Sequence, residues 1–238
     1  MQWIKLTLHF PSFFSYRIPD YSSQYALSVP LPSPSAIKLA VIATAIRATG
    51  NVAEGERVFY AVRDADVRII LPEQIAINSF LIKRLKKRGI KTKADKEEYE
   101  KGLLPAFEST FGVREYVFFP DDVNLFIGCE GIDIIIKYFG MLRYLGSGDS
   151  ILYVKSVELT KEPPESAIKP ITDEEFAETI SDESCVVYPV KDISKKAKFE
   201  QINPYSGKSS RNVFERKYYL IKAKIKKGKN WKILEIWY

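Results

Sequence analysis

The chain has 238 residues, 46% of them hydrophobic, with 36 Lys and Arg against 30 Asp and Glu and a formal net charge of +6. That length and hydrophobic content support a substantial core, in one domain or one domain with an extension. The absence of any apolar run of about 18 residues excludes a transmembrane helix, and two cysteines and one histidine exclude a disulfide framework and a zinc site of ordinary ligands.

Residues 2–10 alternate as a strand, with Ile4, Leu6, Leu8 and Phe10 on one face and Trp3, Lys5, Thr7 and His9 on the other. They lack the features of a signal peptide, so a cytoplasmic protein is expected. Residues 12–32 read as a long loop rich in aromatics. Ser33, Pro34 and Ser35 are helix-start residues, and the apolar helix that follows, from about Ala36 to Ala48, ends at Gly50 and is expected to be buried. Residues 57–71 hold two short apolar runs split by Arg63-Asp64-Ala65-Asp66, and both are expected to be strands. A helix is expected over 73–88, ending in the densest basic cluster of the chain: Lys83, Arg84, Lys86, Lys87, Arg88, Lys91 and Lys93. A short charged helix over 94–101 follows, then a hairpin over 114–127 that turns at Pro120-Asp121-Asp122. Gly131 to Leu145 reads as a second apolar helix, and 151–159 as a strand. Residues 162–183 carry eight acidic side chains and one basic, so the rest of the chain is more basic than the total shows. VVYPV and a basic hairpin with alternating Tyr219, Ile221, Ala223 and Ile225 close the chain.

This order predicts an α+β fold: a ferredoxin-like (RRM-like) βαββαβ core with an inserted thumb and a C-terminal β-hairpin extension. The expected divisions are 1–160 for the core with its thumb near 77–127, 161–183 for an acidic linker and 184–238 for the extension.

No phosphate-binding glycine loop, nucleophile elbow or zinc-protease motif is present, and no cofactor or metal is expected. Asp121 and Asp122 suit a turn. His9 is either a plain surface histidine or a general acid or base. The 83–93 cluster is either a solvated, heat-adapted helix end or a surface that tracks phosphates; few aromatics lie near it in sequence, so base stacking is not evident there. In the loop, Arg17 suits a phosphate, Tyr16, Tyr21 and Tyr25 suit base stacking, and Ser22, Ser23 and Gln24 suit hydrogen bonding. The same residues also suit a loop that packs its aromatics on a sheet.

The stretch YALSVPLPSPSAIKLAVIATAI after a first strand, followed by LRYLGSGDSILYVKSVE, resembles the RAMP superfamily of CRISPR-associated proteins. Within it the chain is most similar to family five, the subunit that caps the 5′ handle of crRNA in type I Cascade complexes, here of archaeal, thermophilic type I-A. Where that family usually carries glycine in the first helix, Lys38-Leu39-Ala40 stands. The resemblance covers about two-thirds of the chain. It implies a non-catalytic RNA-binding protein whose partners are crRNA, the backbone family-seven subunits and the large Cascade subunit, with no membrane and no obligate homo-oligomer. Carried over by motif, the RNA-binding candidates are Tyr16, Arg17, Ser23 and Gln24; Ser33, Ser35 and Lys38; and Arg143, Gly146, Ser147 and Gly148. Charge adds Arg47, Lys83, Arg84, Lys86, Lys87 and Arg88. An alternative is a metal-independent endoribonuclease, as in relatives that process precursor crRNA, with His9, Tyr16 and Lys38 as its acid, base and cation. A third reading is a basic interaction protein with no RNA role.

Overall fold

The computed structural model describes residues 1–21, 24–90, 92–179, 184–208 and 210–238. It is a mixed α+β fold built on two sheets. In chain order the elements are β1 (Gln2–His9), β2 (Tyr25–Ala26), α1 (Pro34–Thr49), α2 (Val52–Val62), β3 (Asp66–Ile70), β4 (Gln74–Lys87), α3 (Lys93–Glu100), β5 (Phe107–Phe118), β6 (Val123–Cys129), α4 (Ile132–Phe139), β7 (Tyr153–Thr160), α5 (Asp173–Thr179), β8 (Cys185–Ile193), α6 (Phe199–Ile202), β9 (Phe214–Lys227) and β10 (Trp231–Ile236).

The first sheet has the order β3-β6-β1-β7 with every neighbour antiparallel. Its inner face buries Ile4, Leu6, Leu8, Leu125 and Ile127 in one core with Ile37, Val41 and Ala45 of α1 and Ile135 of α4. Alternation puts every second side chain of β1 on that face. The Ser33 hydroxyl caps α1 by accepting from the Ala36 N–H, and Gly50, at φ 66°, ends the helix by donating its own N–H to the Ile46 carbonyl. A left-handed residue at that place is the ordinary way to stop a helix, and glycine adopts it without strain.

The second sheet has the order β2-β5-β4-β10-β9-β8. Here the sequence expectations need correction. Residues 74–87 form a strand, not a helix. Ile75 and Ile77 are buried at a spacing of two, and β5 and β10 hydrogen-bond to both sides of the strand's first half. Such pairing overrides the helix-forming Lys, Arg and Leu content. The run VFYAV belongs to a helix, α2, whose buried Gly55, Val58, Phe59 and Val62 keep a helical spacing and whose N-cap is Asn51. The turn at Pro120-Asp121-Asp122 exists, but β5 and β6 do not pair with each other: the chain leaves one sheet for the other there. The second apolar helix stops at Gly140, short of Leu145.

Beyond Leu81, β4 and β5 run on as a two-stranded arm, in unbroken register to Lys87↔Phe107, with α3 at its far end. The acidic stretch is packed over part of its length. Ala167 is buried with Trp3 and Phe126 on the outer face of the first sheet, and Ile168 bridges Ile69 while Pro170 bridges Tyr219. Cys129 is a buried free thiol. Among the described residues no helix is long and apolar enough to cross a membrane.

Candidate nucleic-acid interface

The loop before α1 is held by bonds to its own return and to the arm's root. Val29 donates to the Tyr16 carbonyl at 2.8 Å, and Ile18 to the Leu27 carbonyl at 2.9 Å. Phe14 and Val117 exchange two backbone bonds of 2.8 Å each, and Tyr25–Ala26 lies parallel to β5. Beneath lies a buried polar junction. The Ser15 N–H donates to the Ser150 hydroxyl at 2.9 Å, and the Ser28 hydroxyl donates to the Glu115 carbonyl at 2.6 Å. The Glu115 carboxylate, 2% exposed, accepts from the Ser28 N–H and from the Lys232 ammonium, both at 2.9 Å. A buried carboxylate demands such partners, so Glu115 fixes the loop, the arm and the C-terminal hairpin against one another.

That junction opens a groove of about 420 Å³ between loop and arm. Arg17 and Gln24 line it from the loop, Arg84 and Lys86 from β4, and Phe111 and Arg114 from β5. No acidic side chain is among its lining residues. Arg114 Nε is shut off from solvent and has no hydrogen-bond partner among the described residues, while its Nη1 reaches Asp149 at 3.4 Å. Arg114 lines the groove, and the outer nitrogens of a guanidinium suit a phosphate oxygen. The Lys83 ammonium lies 5.9 Å from the Phe111 ring centre, and Leu81, Leu85, Phe107 and Phe111 are exposed. The aromatics missing around the basic cluster in sequence are thus delivered by the paired strand. The register places Phe111 opposite Lys83 and Arg114 opposite Phe80, on the two faces of the arm, and only that pairing reveals them.

Of the sequence candidates, Arg17, Gln24, Arg84 and Lys86 meet in this groove. Lys83 and Lys87 stand exposed on the same arm, and Arg88 donates to the Pro105 carbonyl at 3.2 Å. Ser23 and Lys91 lie outside the described residues. Tyr16, Ser35, Arg47 and Gly146 line a second cleft, with Tyr144 and Lys191, which sequence reasoning missed. Arg143 and Gly148 are exposed elsewhere on that late loop, and Ser147 shares a 3.2 Å hydrogen bond with Ser150.

The helix start is a correction. Ser33 and Lys38 are 0% and 2% exposed, so neither offers a surface to a ligand. The Lys38 ammonium pairs with Asp192 at 2.8 Å and donates to the Arg63 carbonyl at 3.0 Å. The apolar helix required an internal partner for its lysine. Burial pushes the Asp192 carboxyl above the usual carboxylate range, and Lys38 offsets this only in part.

His9 lies in a third place. Its Nδ1 is 2.9 Å from Asp122, Lys155 donates to the other Asp122 oxygen at 2.8 Å, and the Tyr153 ring is 4.9 Å away. Burial pushes Asp122 up, but the Lys155 and His9 bonds outweigh it and hold the carboxyl below its usual range. His9, Tyr16 and Lys38 thus have separate sets of partners: the Tyr16 hydroxyl accepts from the Lys191 N–H at 3.3 Å.

No family model matches the chain. A solved structure described as a CRISPR protein from Archaeoglobus fulgidus overlaps all of this chain and 93% of its own at 13% identity, with a TM-score of 0.49; that likeness is too distant to carry weight. A curated protein described as CRISPR-associated protein Cas5, from Archaeoglobus fulgidus, is 79% identical over 236 residues, covering 99% of both chains. At that identity over that span, the chain belongs to the Cas5 family of CRISPR-associated proteins.

Proposed function

We propose that the protein is a non-catalytic RNA-binding subunit of a type I CRISPR complex that holds the 5′ handle of crRNA in the groove between the loop and the arm. The observation that carries this reading is the convergence of Arg17, Arg84, Lys86 and Arg114, from three separate stretches of sequence, on one concave surface with no acid lining it. Cations without interleaved acids release counterions from a polyanion and give salt-sensitive binding. Phe107 and Phe111 stand exposed opposite Lys87 and Lys83 and offer stacking surfaces on that face of the arm. The strand order β3-β6-β1-β7, all antiparallel, supports an RRM-like core, and the β4–β5 arm is its thumb. In this reading the backbone family-seven subunits and the large subunit are the protein partners, in the cytoplasm. A role without catalysis is supported by the separate environments of His9, Tyr16 and Lys38, since metal-free RNA cleavage requires its acid, base and cation around one phosphate.

The test is fluorescence anisotropy in EDTA with crRNA bearing its native 5′ handle or a scrambled one, at two salt concentrations, with the recovered RNA run on a denaturing gel. Handle-selective, salt-weakened binding of intact RNA is expected. Binding that ignores salt and handle rejects the reading, and RNA cut in EDTA rejects the non-catalytic part of it.

A further inference from the structure

A second cleft, of about 370 Å³, is lined by the residue next to Arg17. Tyr16 and Arg17 sit where the backbone is extended, with Val29 donating to Tyr16 and Arg17 bridging Ser28. Successive side chains of an extended chain point to opposite sides. Arg17 therefore lines the groove and Tyr16 lines the cleft.

The cleft has a flat apolar floor and preset walls. Ala36, Ala40 and Ala43 on the outer face of α1 leave space that no side chain fills. Tyr144 is clamped: Arg47 Nη2 donates to its hydroxyl at 2.6 Å, and the guanidinium lies 5.2 Å from the ring centre. Lys191 lines the same cleft, its ammonium 3.2 Å from Asp20. Gly146 closes the rim at φ 75°, a conformation that side chains other than glycine's rarely adopt. An apolar slot beside ordered aromatic rings suits a planar heterocycle, and two cations beside it suit an attached phosphate. The volume admits one nucleotide and excludes a duplex or a peptide helix.

We propose that this cleft takes a single unstacked nucleotide, its base against Tyr144 and the alanine floor and its phosphate toward Arg47 and Lys191. The inference rests on the RNA-binding reading where the nucleotide belongs to the strand held in the groove. A free mononucleotide has the same chemistry, and the experiment separates the two sources.

Binding is measured by anisotropy with single-stranded RNAs in which one abasic residue is moved along the chain, using the native protein, Ala40→Phe, which fills the floor, and Arg47→Ala, which releases the clamp from an exposed position. The native protein is expected to lose about tenfold in affinity at one abasic position and little elsewhere, the size of one stacked base. Both variants are expected to bind more weakly with a flat profile, while their thermal melts match the native one. A flat native profile with intact salt-sensitive binding overturns the cleft inference and leaves the groove reading standing. Failure of every RNA to bind overturns the groove reading instead. Calorimetry with adenosine monophosphate then decides the cleft: saturable binding abolished by Ala40→Phe assigns it to a free nucleotide, and no binding overturns it.

Discussion

β1 and β4 are both alternating strands of one chain, yet they end differently. Every second residue of β1 from Ile4 to Leu8 is fully buried, because α1 and α4 cover that face from end to end. β4 buries Ile75 and Ile77 and then outruns its core, so that Leu81 and Leu85 are 72% and 71% exposed. The first strand is held by what packs on it, the second beyond Phe80, whose ring lies 6.3 Å from that of Phe13, by its partner strand. A two-stranded ribbon is marginal by itself, so the arm depends on its root, where β10 pairs with β4 and Glu115 collects its bonds. Burial carries stability in the first region, and in the proposed reading exposed charge carries recognition in the second.

The largest effect is expected where the core holds a charge. Lys38→Met leaves Asp192 buried without its partner, which costs about 3–5 kcal/mol; the double variant Lys38→Met/Asp192→Leu recovers most of it, as read by chemical denaturation. The pH dependence has a definite sign. Burial already raises the Asp192 carboxyl, so in the window between its usual and raised values the folded chain binds more protons than the unfolded chain, and stability from this group rises as pH falls. Without Lys38 that shift grows. The deficit of Lys38→Met relative to the native protein therefore shrinks as the pH is lowered through that window, and a deficit independent of pH would assign the loss to packing alone.

The junction comes next. Glu115→Ala strips the Ser28 N–H of its acceptor, at a cost of about 1–3 kcal/mol. Lys232 is 43% exposed and can turn to water, so Lys232→Ala costs less. RNA affinity is expected to fall with Glu115→Ala although Glu115 is buried away from the groove, because the loop and the arm lose their common anchor. Unchanged affinity in a destabilised Glu115→Ala would separate the arm's orientation from this junction.

The same contrast explains what could be read from the sequence. β1, α1 with its Ser33 cap and Gly50 stop, α3, and the C-terminal hairpin were legible because local pattern and tertiary packing agree there. β4 was not. Its apolar residues at 75, 77, 80, 81, 82 and 85 satisfy a helix as readily as a strand, and the deciding partners, β5 and β10, lie far along the chain. Lys38 was misread for a related reason. A lysine in an apolar helix looks like a surface cation until Asp192, 154 residues further along the chain, is seen to meet it. Half of the groove was legible as charge, Arg84 and Lys86 in the cluster and Arg17 in the loop. Arg114 and Phe111 required knowledge of the pairing.

The smallest stability effects and the sharpest functional ones are expected together in the groove. Arg17 and Arg84 are exposed, and neither has a charged partner among the ion pairs of the described residues. Replacing either with Ala should leave stability within about 0.5 kcal/mol, as for surface sites without special contacts. Each is expected to weaken RNA binding at low salt and to reduce the slope of log affinity against log salt by about 0.7, the value for one phosphate of a single strand. Arg17→Ala/Arg84→Ala should then show the sum of the two slope changes, because each cation releases its own counterion. A change in affinity with no change in slope would mean that these side chains act on the shape of the groove rather than on phosphates, and the contrast between a buried region that stabilises and an exposed one that recognises would fail at its most exposed point.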